Sequence, residues 1–170
     1  MPTLHVCSLA RLPETVAATR ASHVLTLINV GTPVERPAVI DIENHAVIGV
    51  SDIAVATDGH VLPAEEHVAA ILAFVRTWPR ESPLVIHCYA GISRSTAAAY
   101  IAACALAPER DEDAVADALR AASPSATPNR LFVEIADRML GRGGRMVAAV
   151  ARIGRGADAF EGAPFSLVLT

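Results

Sequence analysis

The sequence predicts an α/β protein with a central, mainly parallel sheet flanked by helices. Short apolar segments of strand type alternate along the chain with segments of helical periodicity, an alternation typical of parallel sheets. One helical segment, Thr96 to Ala107, is apolar on every side, so we expect it to be buried in the middle of the fold. With 170 residues, 52% of them hydrophobic, the chain is long enough for one domain with a sizeable core.

The first half of the chain contains three predicted strands and two predicted helices. In chain order they are strand Leu4–Cys7, helix Leu9–Thr19, strand Val24–Val30, strand Ala46–Val50 and a helix from Pro63 to Trp78. The segment Gly31-Thr32-Pro33 ends the second strand with residues typical of turns. Pro63 and the two glutamates after it suit the start of a helix, whose apolar residues then recur at helical spacing.

The second half contains one predicted strand and four predicted helices. They are strand Pro83–His87 and helices Thr96–Ala107, Asp111–Ala122, Asn129–Leu140 and Met146–Ile153. Residues 141–170 are rich in Gly and Arg, and we expect them to form an extension packed on a single domain that spans residues 1–170. Pro164–Leu169 is predicted to be extended along the surface. A cluster of arginines is predicted to be a solvated basic surface: Arg142, Arg145, Arg152 and Arg155.

Composition excludes several classes of function. The formal net charge is −4, which argues against a general nucleic-acid binder. All fourteen basic residues are Arg, so a P-loop lysine and a lysine Schiff base are excluded. The N-terminus lacks a signal-peptide pattern, and the longest apolar run, Ala97 to Ala107, is shorter than the roughly 20 residues that span a bilayer. We therefore expect a cytoplasmic protein without a membrane partner, and a monomer or weak dimer.

The segment from His87 to Ser95 carries the chemistry. It places Cys88 at the end of a strand and Arg94 six positions later, at the start of a helix. The intervening residues, Tyr89-Ala90-Gly91-Ile92-Ser93, are short enough to wrap their backbone amides around one tetrahedral anion, and Gly91 supplies the conformational freedom that such a turn needs. The helix N-terminus and the planar guanidinium favour a bound phosphate. No metal or other cofactor is needed for this arrangement.

The same surroundings favour an ionised thiol at Cys88. Cysteines at helix N-termini beside cations are more readily deprotonated than free ones, and the thiolate is the nucleophilic form. His87 is expected to orient the loop through hydrogen bonds, and Ser95 to donate a hydrogen bond to the sulfur. Cys7 and Cys104 lie on a predicted strand and on the buried helix, so we interpret them as core residues, although a disulfide between Cys7 and Cys88 stays open.

The segment resembles the active-site motif of the cysteine-based protein tyrosine phosphatases, His-Cys-x-x-Gly-x-x-Arg-Ser/Thr. The Ser51-Asp52-Ile53 loop ahead of a helix, and Pro128-Asn129 at the start of a later one, resemble the compact dual-specificity-like branch. The resemblance covers about residues 40 to 140. Classical tyrosine phosphatases position water with a glutamine loop, and this chain has no Gln, so it does not fit that branch.

The resemblance implies a phosphomonoester hydrolase that acts through a phosphocysteine at Cys88. An aspartate from the Ser51–Leu62 loop would protonate the leaving oxygen and then activate water. Asp52 and Asp58 are both candidates, and we favour Asp52 because its Ser-Asp-Ile context is closer to the family's acid loop, whereas Asp58-Gly59 is typical of a turn. Asn129 would support the phosphate loop from behind, or simply cap its helix.

The substrate expected from the resemblance is a phosphorylated protein or a small phosphoester. Two other functions stay open at this point. The chain could be a pseudophosphatase that binds a phosphorylated partner without turnover, or it could act on sulfur or arsenate through a related cysteine loop. Arg94 and Ser95 favour phosphate over the last of these.

Overall fold

The computed structural model describes residues 1–169; the last residue of the predicted extension, Thr170, lies outside them. Five strands form one sheet: β1 (Thr3–Ser8), β2 (His23–Ile28), β3 (His45–Gly49), β4 (Leu84–Cys88) and β5 (Phe165–Val168). Their order is β3-β2-β4-β1-β5. Strands β1 to β4 pair in parallel, and only β5 is antiparallel to its neighbour β1. The predicted α/β architecture with a mainly parallel sheet is confirmed.

Six α-helices surround the sheet. They are α1 (Leu12–Thr19), α2 (Glu65–Thr77), α3 (Arg94–Leu106), α4 (Glu112–Ala122), α5 (Arg130–Met139) and α6 (Arg145–Ile153). Alternate residues of the central strands belong to two separate apolar clusters, as expected when both faces of a parallel sheet are covered. The larger cluster packs against α2 to α6, and the smaller one packs against α1. Helix α3 is buried along almost its whole length, as its sequence predicts.

Several element boundaries differ from the sequence prediction by one to three residues, and two of these differences have clear local reasons. Helix α1 begins at Leu12 rather than at Leu9, because the carbonyl of Ser8 first accepts from the amide of Arg11 in a turn. Strand β2 ends at Ile28 rather than at Val30, because Asn29 turns out of the sheet and its side chain binds another residue, described below.

The C-terminal segment differs from its prediction in two respects. Residues 165–168 are not merely laid on the surface: they form the edge strand β5, with Phe165 and Leu167 buried on one side. Of the four arginines predicted to form a solvated surface, Arg142 is buried, while the other three are exposed as predicted but are each paired with a carboxylate. Arg142 and Arg145 pair with the buried Glu112, Arg152 pairs with Asp113 and Asp117, and Arg155 pairs with Asp158.

The ion pairs of Arg142, Arg145 and Arg152 fasten the C-terminal part of the chain to α4, whereas the pair of Arg155 with Asp158 is local. Glu112 is only 4% exposed, and its carboxylate lies 2.8 Å from an Arg142 nitrogen. A buried carboxylate of this kind is tolerated because two guanidiniums neutralise it. Helix α6 is held in addition by Asp137, whose carboxylate accepts from the amides of Gly144 and Met146 at its N-terminal turn. None of the helices in residues 1–169 has the length and apolar character that a bilayer crossing requires.

Candidate active site

The loop between β4 and α3 lies at the carboxyl end of the central strand. Its residues run from Cys88 to Arg94, and we call it the phosphate loop. Gly91 has φ +73°, and a Cβ placed on it would lie 2.8 Å from the backbone carbon of Cys7. Any other residue would therefore be strained and would also collide with β1. This explains why the turn needs glycine at its centre.

The carbonyl groups of the phosphate loop point outward and are held by the surrounding framework. Tyr89 accepts from the amide of Leu9, and Ala90 accepts from the amide of Gly162. On the other side of the loop, the amides of residues 127 and 129 donate to the carbonyls of residues 92 and 93. Because the C=O and N–H of a peptide group point in opposite directions, this pattern turns the loop amides inward, where they form an anion-binding concavity.

The thiol of Cys88 lies inside this concavity. Its Sγ accepts from the amide of Gly91 at 3.3 Å, and it lies 3.1 Å from the hydroxyl oxygen of Ser95. Across the described residues, no other amide from 89 to 93 donates a hydrogen bond to a protein acceptor. Cys88 is 2% exposed, so the sulfur is reached only through the loop opening. The geometry places a nucleophilic atom at the centre of several available donors.

Arg94 closes the other side of the opening. One terminal nitrogen donates to Oδ1 of Asn29 at 2.6 Å and to the carbonyl of Val50 at 2.9 Å. Its Nε is buried and has no hydrogen-bond partner within residues 1–169. Leaving a buried donor without an acceptor costs free energy, so this N–H is best explained as a donor to a bound oxyanion. Asn29, which fixes the guanidinium, was not predicted from the sequence.

Asp52 reaches the phosphate loop from the segment after β3. Its Oδ1 accepts from the hydroxyl of Ser93 at 2.7 Å and from the side-chain amide of Asn129 at 2.9 Å. The Oδ1 of Asn129 in turn accepts from the first amides of α5, so the residue links that helix to the Asp52 loop. The side chain of Asn129 thus caps α5 and binds the Asp52 loop, and the contact of this residue with the phosphate loop is made by its backbone amide, which donates to the carbonyl of Ser93.

Asp58, the second candidate acid, is placed differently. It lies exposed in a turn in which the amide of His60 donates to the carbonyl of Thr57. In the part of the chain that the structure describes, its carboxylate forms no hydrogen bond with the phosphate loop. A cavity of about 430 Å³ opens above the loop and is lined by Asn29, Asp52, His60, Tyr89 and Arg94 among others, without Asp58. The structure therefore brings Asp52 together with Arg94.

His87 supports the phosphate loop from within the sheet. Its Nδ1 lies 3.2 Å from the carbonyl oxygen of Cys88, and its Nε2 lies 2.7 Å from the hydroxyl of Thr26. If Nδ1 carries the proton and donates to the carbonyl, Nε2 must accept from Thr26. The Thr26 oxygen then accepts from Nε2 of His45, 2.8 Å away. A chain of hydrogen bonds thus leads from the edge strand β3 to the backbone of Cys88.

We expect acid to destabilise the protein through His87. Burial lowers the pKa of His87 to about 4 from its ordinary value of 6.5. The unfolded state binds a proton at this residue more readily than the folded state does, so the free energy of unfolding should decrease as the pH falls from about 6.5 towards 4. The decrease should be at most roughly 3 kcal/mol. Urea denaturation at a series of pH values measures it.

Two variants separate this effect from a general loss of stability. His87→Asn removes the titrating group, so the dependence on pH should become shallower; the part that remains should come from His5, His23 and His45, whose pKa values burial also lowers. Thr26→Val removes only the hydroxyl partner, so it should lower stability but keep the dependence. Equal pH dependence in His87→Asn and the parent protein would contradict this assignment.

The comparisons with known proteins bear on the family and the fold. A family model described as protein-tyrosine phosphatase matches residues 57–123, which include the phosphate loop but neither Asp52 nor Asn129. No curated protein matches the chain. Many solved structures do, and several of them are dual-specificity phosphatases.

Three of these structures illustrate the similarity. DUSP15 matches with a TM-score of 0.66 and 17% identity, over 93% of this chain and 96% of its own. The Yvh1 phosphatase domain from Chaetomium thermophilum matches with a TM-score of 0.63 and 18% identity, over 84% and 93%. Human DUSP28 matches with a TM-score of 0.62 and 17% identity, over 84% and 95%. At these identities the similarity establishes the fold alone.

Proposed function

We propose that the chain hydrolyses phosphate monoesters through a phosphocysteine at Cys88, a function supported by the match of residues 57–123 to the protein-tyrosine phosphatase model and by a fold similar to those of dual-specificity phosphatases. One observation carries the proposal: Sγ of Cys88 and Nε of Arg94, which has no partner within residues 1–169, lie on the same short loop, whose carbonyls at positions 89, 90, 92 and 93 are bound by the surrounding framework. The substrates we propose are phosphorylated proteins or small phosphoesters.

In the first step the Cys88 thiolate attacks phosphorus, opposite the leaving oxygen. The S–P bond forms while the P–O bond breaks, and the three remaining phosphoryl oxygens are bound by loop amides and by Arg94. Asp52 gives its proton to the leaving oxygen. Since Oδ1 of Asp52 is already engaged by Ser93 and Asn129, the transferred proton belongs on Oδ2.

In the second step water attacks the phosphocysteine. Asp52, now ionised, takes a proton from the water as the new P–O bond forms and the S–P bond breaks. The hydroxyl of Ser95, 3.1 Å from the sulfur, donates a hydrogen bond to the departing thiolate. Inorganic phosphate and the starting form of the site result. The loop amides, the N-terminus of α3 and Arg94 supply the positive potential that a metal would otherwise provide.

A phosphate-binding module without turnover is the second candidate function. It is favoured by the two hydrogen bonds to Asp52, because a carboxylate engaged in this way could serve only to join Ser93 to Asn129. Both functions use the same anion site, so fold and anion binding do not distinguish them. Turnover does.

Hydrolysis of p-nitrophenyl phosphate in excess EDTA tests the proposal. The proposed enzyme should release p-nitrophenol at the same rate with and without the chelator, and inorganic phosphate should inhibit it competitively. Absence of turnover across the pH range, together with phosphate binding measured by calorimetry, would favour the binding module. If neither turnover nor phosphate binding were detected, both the enzyme and the binding module would be contradicted.

Asp52→Asn should slow the release of poor leaving groups most strongly. An amide cannot protonate the leaving oxygen, and general acid catalysis contributes about 10²- to 10⁴-fold. We expect a loss in this range with phenyl phosphate, and a smaller loss with p-nitrophenyl phosphate, whose leaving group needs less protonation. The alkaline limb of the pH–rate profile, which reports the protonated acid, should also flatten. Steady-state kinetics with both esters measures these effects.

Asp58→Asn is the matched control. The same isosteric change is made in the same loop, at a carboxylate without a contact to the phosphate loop, so both esters should be hydrolysed as by the parent protein. If Asp58→Asn instead lost activity selectively on phenyl phosphate, the assignment of the acid to Asp52 would be wrong. Equal losses on both esters in Asp52→Asn would point to a purely structural role.

A further inference from the structure

A second groove adjoins the phosphate loop. It has a volume of about 420 Å³ and is formed by Ile92 and Ser93 of the loop, by Thr127, and by residues 155–160. The last of these belong to the segment between α6 and β5, residues 154–164, which we call the strap. The groove and the cavity above Arg94 share Asp52 as a common wall. A molecule whose phosphate occupies the loop therefore has access to the groove.

The strap is fixed to the framework on both sides of the groove. At one end the amides of Gly156 and Ala157 donate to Thr127 Oγ1 and to the carbonyl of Pro124. At the other end the amide of Gly162 donates at 2.8 Å to the carbonyl of Ala90 in the phosphate loop. A Cβ on Gly162 would lie 2.8 Å from the carbonyl oxygen of Gly91, so the strap lies directly against the loop. The groove is thus a formed feature of this fold.

Phe160 lies between these anchors and is fully exposed. It lines the groove on one side and, with Tyr89, a neighbouring depression on the other. Tyr89 is itself 65% exposed. Two exposed aromatic rings beside one anion site form an apolar rim, and aromatic side chains in such positions contribute much of the binding energy at recognition surfaces.

Three charged side chains line the groove, Asp52, Arg155 and Asp158. Arg155 pairs with Asp158 at 2.7 Å, and Asp52 is held by Ser93 and Asn129. The remaining walls include the side chains of Ile92, Ala157, Ala159 and Phe160. An acidic side chain would meet the carboxylate of Asp52, whereas an apolar one would be removed from water against these walls.

We propose that the groove is a substrate subsite that binds an apolar side chain next to the phosphorylated residue of a protein, with Phe160 as its main selective contact. The proposal rests on the proposed function for its ligand, a phosphorylated chain, but it depends on binding rather than on turnover. It predicts that the phosphoryl group is recognised by the loop, while the neighbouring sequence is selected by the strap.

Binding of labelled phosphopeptides to the Cys88→Ser protein tests this subsite. The probes are fluorescein-labelled nonapeptides with a central phosphotyrosine, flanked on either side by Leu, Gly or Asp. We expect a peptide with Leu on one flank to bind about tenfold more tightly than its Gly counterpart, the discrimination typical of an apolar pocket. In Cys88→Ser/Phe160→Ala this preference should fall to about twofold or less. Phe160 is fully exposed, so its truncation should not affect folding.

Val39→Ala in the same background is the control. Val39 is 75% exposed and lies outside the groove, so the preference for Leu should remain about tenfold. Equal affinity for Leu and Gly peptides, tightest binding of an Asp peptide, an undiminished preference in the Phe160→Ala protein, or no peptide binding at all would each overturn the subsite. Hydrolysis of p-nitrophenyl phosphate by the parent protein decides the proposed function separately, because that small ester has no flanking residue.

Discussion

Replacing Cys88 by serine should abolish the hydrolysis of p-nitrophenyl phosphate and leave the protein able to bind inorganic phosphate. The hydroxyl is a far weaker nucleophile than a thiolate, whereas the amides and Arg94 that hold the anion are unchanged. We expect a loss of at least about 10³-fold in kcat, since removing a nucleophile is among the most damaging changes to a covalent mechanism. Steady-state kinetics and calorimetric titration with phosphate measure the two effects.

Cys104→Ala is the control for this substitution. Cys104 lies in the buried helix α3, and burial raises the pKa of its thiol to about 11, so it is protonated at neutral pH and not nucleophilic. Alanine is common in this helix and should be accommodated there, with turnover retained. Turnover of the Cys88→Ser protein at a rate near that of the parent would contradict a phosphocysteine mechanism.

Arg94→Lys should nearly eliminate both phosphate binding and turnover, although the charge is conserved. One nitrogen of Arg94 is already committed to Asn29 and to the carbonyl of Val50, while Nε remains for the anion. A lysine ammonium is a single centre that cannot satisfy both sets of partners in this planar geometry. We expect kcat/KM to fall by about 10²- to 10³-fold, as when a donor to a developing oxyanion is removed.

Substitutions at Asn29 check the reason for that loss. Asn29→Ala removes one of the two acceptors that hold the guanidinium, so activity should decrease less than in Arg94→Lys; Asn29→Asp keeps an acceptor and should restore most of it. If the Arg94→Lys protein bound phosphate as tightly as the parent, or if Asn29→Ala were as inactive as Arg94→Lys, the role given to the guanidinium geometry would be wrong.

The phosphate loop could be predicted from the sequence because its residues are contiguous in the chain. A strand, a short turn with Gly91 and the start of a helix occupy consecutive positions, so local pattern and chemistry coincide from Cys88 to Arg94. The alternation of strands and helices likewise predicts the parallel sheet. Both depend on short-range information, which a single sequence carries well.

The residues that were missed come from distant parts of the chain. Asn29 follows β2 and binds Arg94 sixty-five positions later, and Thr26 meets His87 only because β2 and β4 are neighbours in the sheet. The order of the strands in the sheet determines these contacts, and local hydrophobic periodicity does not predict that order. A signal existed for Asn29, because polar residues just after parallel strands collect at one edge of the sheet.

Strand β5 was missed although its sequence alternates. Phe165 and Leu167 are buried, while the two residues that follow them face outward, a pattern of period two. Four residues are too few to distinguish an edge strand from an extended surface segment unless the pairing partner is known. The strap before β5 has no periodicity at all, so its place beside the phosphate loop is purely a consequence of where α6 ends and β5 pairs.

The way in which the strap is attached allows the recognition of the neighbouring sequence to change without a change in the geometry of the phosphate loop. The amide of Gly162 in the strap donates to the carbonyl of Ala90, on the side of the loop opposite the amides that face the anion. New side chains at positions 157–160 could therefore retune which sequences are recognised without disturbing the reacting atoms. Gly162 does not share this freedom, since any added carbon there would press on the turn that holds the nucleophile.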